Sequence, residues 1–78
     1  MNKVLIYTTP SCPYCKMAMK YFNEKGVQYE EKDVMIDLKA RQEMLDKSHQ
    51  FGVPVLDING KIIIGFDRPA INQALGLS

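Results

Sequence analysis

The sequence predicts an α/β fold in which a small four-stranded mixed sheet carries helices on both faces, in the order β-α-β-α-β-β-α. Apolar runs of strand length alternate with stretches of helical periodicity, and the Asn59-Gly60 pair stands between the last two apolar runs. A helical crossover between the first two strands favours a parallel pair, whereas a hairpin is antiparallel. The sheet is therefore expected to contain both kinds of pairing.

The first strand and helix are predicted from the amino-terminal third of the chain. Residues 4–7 are short, continuously apolar and β-prone, which indicates a buried strand. Pro13 suits the first turn of a helix and Gly26 a helix end. The apolar residues between them recur at the spacing of one helical face: Cys15, Ala18, Met19 and Phe22.

The middle of the chain predicts a second strand and a second helix. Residues 27–34 are polar along much of their length, which favours a strand at the edge of the sheet. Asp37 is a suitable N-cap for a helix that ends near residues 49–52. We expect the apolar face of that helix to consist of Leu38, Met44 and Leu45.

The carboxyl-terminal third predicts a hairpin followed by a last helix. Residues 53–58 and 61–64 flank Asn59-Gly60, a pair that tolerates the positive φ angles of a two-residue turn. Asp67 is a plausible N-cap for the last helix. The residues of this helix expected to face the core are Ile71, Ala74 and Leu75.

Size and charge narrow the possible functions. The 78 residues suffice for one domain spanning 1–78, and ten basic against nine acidic residues give a formal charge of +1. This balance provides no electrostatic footprint for nucleic acid or an acidic membrane. No apolar run approaches the roughly 20 residues that span a bilayer, and no signal-peptide pattern is visible. We expect a cytoplasmic monomer, in a compartment where disulfides are usually transient and catalytic.

Cys12 and Cys15 stand two residues apart, after the first strand and at the start of the first helix. A disulfide between them would close so short a loop that it contributes only roughly 2 kcal/mol, the low end for such bonds. A pair this close is easily formed and easily reduced. The spacing therefore favours a redox-active dithiol over a structural bridge.

The two thiols are expected to have different roles. Cys12 occupies the N-cap position, where free N–H groups and the helix dipole lower the pKa of a thiol. Lys16 adds a positive charge one turn later. Cys15 lies on the apolar face and should be more buried, so Cys12 is expected to attack and Cys15 to resolve the mixed disulfide. Zinc is not expected, because such sites need four ligands and only His49 could join the two cysteines.

Three motifs together resemble the glutaredoxin family across essentially the whole chain. They are Cys12-Pro13-Tyr14-Cys15, Val53-Pro54 and Gly65-Phe66-Asp67. The resemblance implies a thioredoxin-like fold and a thiol–disulfide oxidoreductase with no bound cofactor and with glutathione as co-substrate. Its implied partners are glutathione and proteins that contain disulfides or are glutathionylated.

The resemblance also implies a glutathione site. Pro54 would follow a cis peptide bond, and the backbone of Val53 would pair with the glutathione cysteine. A helix N-terminus suits a carboxylate, so the last motif would hold the γ-glutamyl end. The residues to which the family match gives glutathione contacts are Tyr14, Arg41, Val53, Pro54, Gly65, Phe66 and Asp67.

Two departures from the family pattern leave alternatives open. Thr9 stands where glutaredoxins usually carry a lysine, and Ile64 replaces the first glycine of Gly-Gly-x-Asp. Residues 65–69 also partly resemble redoxins that serve ribonucleotide reductase and are reduced by thioredoxin reductase. A third possibility is a glutaredoxin that carries an iron–sulfur cluster between two subunits, which the stiff Pro13 turn and the resolving thiol of Cys15 disfavour.

Overall fold

The computed structural model describes residues 3–76 and contains seven elements in the predicted order. Residues 1–2 and 77–78 of the expected domain lie outside this range. The strands are β1 (Val4–Thr8), β2 (Glu30–Asp33), β3 (Val55–Ile58) and β4 (Lys61–Ile64). The helices are α1 (Pro13–Glu24), α2 (Leu38–Ser48) and α3 (Arg68–Leu75).

The four strands form one mixed sheet in the order β2-β1-β3-β4. Strand β1 pairs in parallel with β2, and β3 pairs antiparallel with both β1 and β4. The turn between β3 and β4 has positive φ at both Asn59 and Gly60, as predicted. The parallel first pair, the antiparallel hairpin and the edge position of β2 are all confirmed.

Strand β2 is shorter than the predicted segment 27–34. Val27 donates its amide to the carbonyl of Phe22 at 2.8 Å, which extends the end of α1 rather than the sheet. Val27 and Tyr29 then pack against the core cluster, so pairing with β1 begins only at Glu30. Local hydrogen bonds at the helix end therefore displace the start of the strand.

Helices cover both faces of the sheet, as expected. On one face, α1 and α3 pack against Ile6 and Leu56 through Phe22 and Ile71. On the other face, α2 packs a smaller cluster, which contains Tyr7, Val34, Ala40, Met44 and Val55. Adjacent strand residues point to opposite faces, which explains why Ile6 and Tyr7 belong to different clusters.

The predicted apolar face of α2 is wrong at Leu38, whose exposed fraction is 72%. The buried residues are Ala40 and Met44, which are four positions apart and therefore share one side of the helix. Leu38 precedes Ala40 by two positions, roughly 200° around the helix, and so faces away from the sheet. Leu45 is half-buried.

Candidate active site

Four loops meet at one end of the sheet. Tyr7 pairs with Val55, Val55 pairs with Ile64, and Thr8 pairs with Asp33. The segments that follow β1, β2 and β4, and the segment that precedes β3, therefore emerge at the same edge. We call this end of the sheet the cysteine edge, because the segment after β1 leads directly to Cys12.

Cys12 and Cys15 form a disulfide with their Cα atoms 5.2 Å apart. Cys12 is the N-cap of α1, and its Sγ accepts a hydrogen bond from the amide of Cys15 at 3.1 Å. Pro13 takes the first helical turn, where no amide hydrogen is needed. In the reduced state, the same amide and the helix dipole would stabilise the thiolate of Cys12.

The two sulfur-bearing residues differ in accessibility. Cys12 is 7% exposed and Cys15 is 1% exposed, which confirms the expected order of burial. The neighbouring Tyr14 is 60% exposed and stands beside the pair on the first turn. Lys16 is also exposed, and its hydrogen bond to Cys12 is a backbone one, at 3.3 Å. The charge effect of Lys16 therefore stays a prediction.

The Val53-Pro54 peptide bond is cis, as the resemblance implies. Pro54 is buried and Val53 is half-buried, directly before β3 at the cysteine edge. The carbonyl of Pro54 accepts a hydrogen bond from the amide of Gly65 at 2.9 Å. Two of the predicted glutathione-contacting segments are thus joined through the backbone.

The segment between β4 and α3 is shaped by one glycine and one cap. Gly65 has φ +84, a conformation that side chains with a Cβ rarely adopt. Asp67 is the N-cap of α3, with Oδ1 accepting from the amide of Ala70 at 3.2 Å. Phe66 packs edge-on against Tyr21 of α1, with ring centroids 5.9 Å apart.

Arg41 lies on the exposed side of α2 and stacks on a residue that sequence reasoning missed. Its guanidinium carbon is 5.0 Å from the ring centroid of Phe51. The two residues line a shallow groove of about 300 Å³ together with Leu38, Gln42 and Leu45. The only sequence signal for this groove was an aromatic residue in the loop before Val53.

That loop is held by the side chain of Gln50, which sequence reasoning also missed. Gln50 Oε1 accepts from the amide of Gly52 at 2.7 Å, while Nε2 donates to the carbonyl of Gly52 at 3.0 Å and to Ser48 Oγ at 3.3 Å. A Cβ on Gly52 would lie 2.7 Å from Gln50 Oε1. These hydrogen bonds therefore hold the backbone immediately before Val53, and a side chain at position 52 would require Gln50 to move.

A polar network joins the sheet to α2 on the face opposite α1. Lys47 Nζ donates to the hydroxyl of Tyr7 at 2.8 Å and pairs with Asp57 Oδ2 at 2.7 Å. Glu43 Oε1 accepts from the Tyr7 hydroxyl at 3.2 Å and from Lys32 Nζ at 3.0 Å. The network links three strands to one helix. Only the i, i+4 spacing of Glu43 and Lys47 was visible in the sequence.

The network shifts three ionisation equilibria. The hydrogen bond from Lys32 lowers the pKa of Glu43 below its ordinary value, and the same bond raises the pKa of Lys32. Burial alone would lower the pKa of Lys47, but its hydrogen bonds to Asp57 and Tyr7 outweigh burial and raise it. All three shifts favour the charged forms, so the network is a set of mutually stabilised charges.

Membrane-spanning helices and metal-binding clusters are both absent from the part of the chain that the structure describes. Between residues 3 and 76, no helix is both long and apolar enough to cross a membrane. In the same range, no three side chains of His, Cys, Asp or Glu converge as a metal site would require.

A redox-active cysteine pair at a helix N-terminus in a thioredoxin-like fold defines a thiol–disulfide oxidoreductase. The chain belongs to the glutaredoxin family, whose family model, described as Glutaredoxin, matches residues 4–63. It is 40% identical over 72 residues to an uncharacterized glutaredoxin-like 8.6 kDa protein of a rubredoxin operon in Clostridium pasteurianum, a match that covers 92% of this chain and 96% of that one.

Two other comparisons agree. Glutaredoxin 3 of Escherichia coli K12 is 36% identical over 67 residues, which cover 86% of this chain and 81% of that protein. The crystal structure of a mutant of a thioredoxin-like protein superposes with a TM-score of 0.91 at 31% identity, and all of both chains is covered. The thioredoxin-like fold and the oxidoreductase class expected from the sequence are thereby confirmed.

Proposed function

We propose that this glutaredoxin reduces protein disulfides and glutathione mixed disulfides, with reduced glutathione as the electron donor. The observation that carries the proposal is the hydrogen bond from the amide of Cys15 to Cys12 Sγ at 3.1 Å. It favours negative charge on the sulfur of Cys12, whereas Cys15 is the more buried of the two residues. Cys12 is therefore assigned as the attacking thiol and Cys15 as the resolving thiol.

The reaction proceeds by two thiol–disulfide exchanges. The thiolate of Cys12 attacks one sulfur of the substrate disulfide, a new S–S bond forms, and the other sulfur leaves as a thiolate. The thiolate of Cys15 then attacks Cys12 and releases the second substrate thiol, which leaves the Cys12–Cys15 disulfide. Two glutathione molecules return the pair to the dithiol and become one molecule of glutathione disulfide.

Glutathione is assigned to the cysteine edge. The backbone of Val53 would pair with the cysteine of the tripeptide, and its γ-glutamyl end would lie at residues 65–67, where Asp67 Oδ1 already caps α3. Arg41 would meet the glycine carboxylate, and the exposed ring of Tyr14 would line the site. The hydrogen bond between Pro54 and Gly65 supports this assignment because it couples two of these segments. Similarity to glutaredoxin 3 of Escherichia coli supports glutathione as the donor.

The electron donor is tested by supplying NADPH through two separate routes. One reaction contains glutathione and glutathione reductase, and the other contains thioredoxin reductase. Both use the same disulfide substrate. We expect turnover in the first reaction at the higher rate. Turnover with thioredoxin reductase alone would contradict glutathione dependence while leaving the thiol–disulfide activity intact.

A second candidate is a redoxin that thioredoxin reductase reduces directly. Two features of the sequence favour it: the run over residues 65–69 and Thr9 in place of the usual lysine. The same pair of reactions separates the two candidates. In this second case Cys12 and Cys15 keep their roles, and only the source of electrons differs.

A further inference from the structure

A groove runs along the seam between α1 and α3, next to the cysteine edge. It has a volume of about 310 Å³ and is lined by Met17, Lys20, Tyr21, Glu24, Lys25, Phe66 and Arg68. We call it the α1/α3 groove. Among the lining residues, Tyr21 contacts both sides of the groove: its hydroxyl donates a hydrogen bond to Asn72 Oδ1 of α3, and its ring forms a T-shaped pair with Phe66. Tyr21 therefore links α1 to α3 and to the segment that precedes α3.

The groove carries more positive than negative charge. The guanidinium carbon of Arg68 lies 4.8 Å from the ring centroid of Tyr21, and Lys25 Nζ lies 5.7 Å from the same centroid. Lys20 is also exposed, on α1, and Glu24 is the only carboxylate that lines the groove. Within residues 3–76, none of the three cations forms an ion pair with a carboxylate.

This concentration of charge is local, because the whole chain has a formal charge of only +1. Other exposed acidic residues lie on β2 and at the start of α2, among them Glu30, Glu31 and Asp37, whereas Glu24 lines the groove and Asp67 lies beside it. The three cations are thus available for carboxylates that come from another molecule. Charge complementarity indicates an acidic occupant.

The groove is continuous with the proposed substrate site. Phe66 belongs both to the groove and to the segment assigned to glutathione. Met17, on the α1 side of the groove, is exposed and lies one turn beyond Tyr14. A polypeptide that presents a sulfur to Cys12 can therefore continue into the groove without leaving the protein surface.

We propose that the α1/α3 groove binds an acidic segment of the protein whose disulfide or mixed disulfide Cys12 attacks. This inference rests on the proposed function and adds a class of protein substrate to it. Tyr21 follows Cys12 along α1 by roughly 13 Å at the helical rise. An extended chain covers that distance in about four residues. The acidic residues are therefore expected about four to five positions from the reacting cysteine of the substrate.

The test uses synthetic peptides that carry one glutathionylated cysteine. One peptide has two Glu residues about four and five positions from the cysteine, and its partner has Gln at both positions. Each pair is made with the variable residues before or after the cysteine. We expect wild type to show about three- to tenfold higher kcat/KM for the Glu peptide in one orientation, the scale of two exposed ion pairs. High salt of ~0.5 M should remove the difference.

The variant Lys20→Gln/Lys25→Gln tests the location of the effect. It should turn over the Gln peptide at the wild-type rate and lose the preference for the Glu peptide. The control Lys39→Gln/Lys61→Gln removes the same charge from α2 and β4, away from the groove, and should keep the preference.

Three outcomes would overturn the inference. Wild type could turn over both peptides equally, or the control variant could lose the preference as fully as the groove variant does. The third outcome, failure to reduce either peptide with any electron donor, would also overturn the proposed function. The first two outcomes leave the proposed function standing, so the two failures are distinguishable.

Discussion

The amide of Gly65 donates a hydrogen bond to the carbonyl oxygen of Pro54 at 2.9 Å. This single bond connects the loop that precedes β3 with the loop that follows β4. Gly65 holds it with φ +84, and nothing lies within 4 Å of the position that a Cβ would occupy. A substitution at Gly65 is therefore a backbone perturbation with no steric clash, which makes it a clean probe of the coupling.

We expect Gly65→Ala to cost about 1–2 kcal/mol of unfolding free energy, because an L-residue is strained in the left-handed region. It should also raise the KM for glutathione several-fold, since the strain shifts the segment at residues 65–67. Gly60→Ala is a matched control, with φ +91 and open space at the turn between β3 and β4. A similar loss of stability with unchanged KM is expected there. Equal KM values in both variants would contradict the coupling.

The cysteine roles predict unequal effects of two serine substitutions. Cys12→Ser should abolish all disulfide reduction, because it removes the sulfur that the helix N-terminus activates. Cys15→Ser should retain deglutathionylation, in which a second glutathione resolves the mixed disulfide, and should lose much of the activity on protein disulfides. Rates on one glutathionylated peptide and one protein disulfide measure both effects. Equal loss of deglutathionylation in the two variants would contradict the assignment of Cys12 as the attacking thiol and Cys15 as the resolving thiol.

Thr9 precedes Cys12 by three residues and accepts a hydrogen bond from its amide through the backbone at 3.3 Å. Because that bond does not involve the side chain, Thr9→Lys should preserve the loop and add one positive charge. An exposed ion pair contributes about 0–1 kcal/mol, so the KM for glutathione should fall several-fold at most. The decrease should shrink at high salt. If neither wild type nor the variant shows glutathione-dependent activity, the second candidate function replaces the first.

The ion pair between Glu43 and Lys32 predicts a pH dependence of stability. The pKa of Glu43 is lowered from 4.5 in the folded chain, so its contribution is complete above that value and is lost as the pH falls through the folded pKa. Glu43→Gln should therefore reduce the loss of unfolding free energy between about pH 6 and pH 3, by about 0.5 kcal/mol. Urea unfolding at the two pH values measures this difference.

Glu24→Gln is the control for that experiment, because Glu24 is exposed and forms no ion pair within residues 3–76. It should leave the acid dependence of wild type unchanged. A decrease in acid sensitivity of the same size in both variants would show that general charge repulsion, and not the pair with Lys32, controls the loss of unfolding free energy at low pH.

Local signals predicted the fold and the cysteine site well. The caps at Cys12, Asp37 and Asp67 depend on a side chain and an amide within the same turn, so the information lies in adjacent residues. The turn at Asn59-Gly60 is equally local. The position of Cys12 at the cysteine edge then follows from strand order and from the short loop after β1.

The parts that were missed depend on residues far apart in the chain. Tyr7, Lys47 and Asp57 meet only after β1, α2 and β3 have packed, so no spacing rule could bring them together. The error at Leu38 has another cause. The sequence pattern of an apolar residue at the first position of a helix is the same whether that residue is buried or exposed. The pairing of Arg41 with Phe51 likewise required the actual path of the loop after α2.

The two ion pairs between α2 and the sheet have a consequence for how homologous sequences can diverge. Only Ala40 and Met44 of this helix are fully buried, and two partly exposed ion pairs, Lys47 with Asp57 and Glu43 with Lys32, add to their packing against the sheet. Loss of one partner alone leaves the other charge without a counterion, whereas a joint exchange of both partners for apolar residues is tolerated. Positions 47 and 57 should therefore change together during evolution, as should positions 32 and 43. Chains that keep a lysine at 47 beside an apolar residue at 57 should be rare.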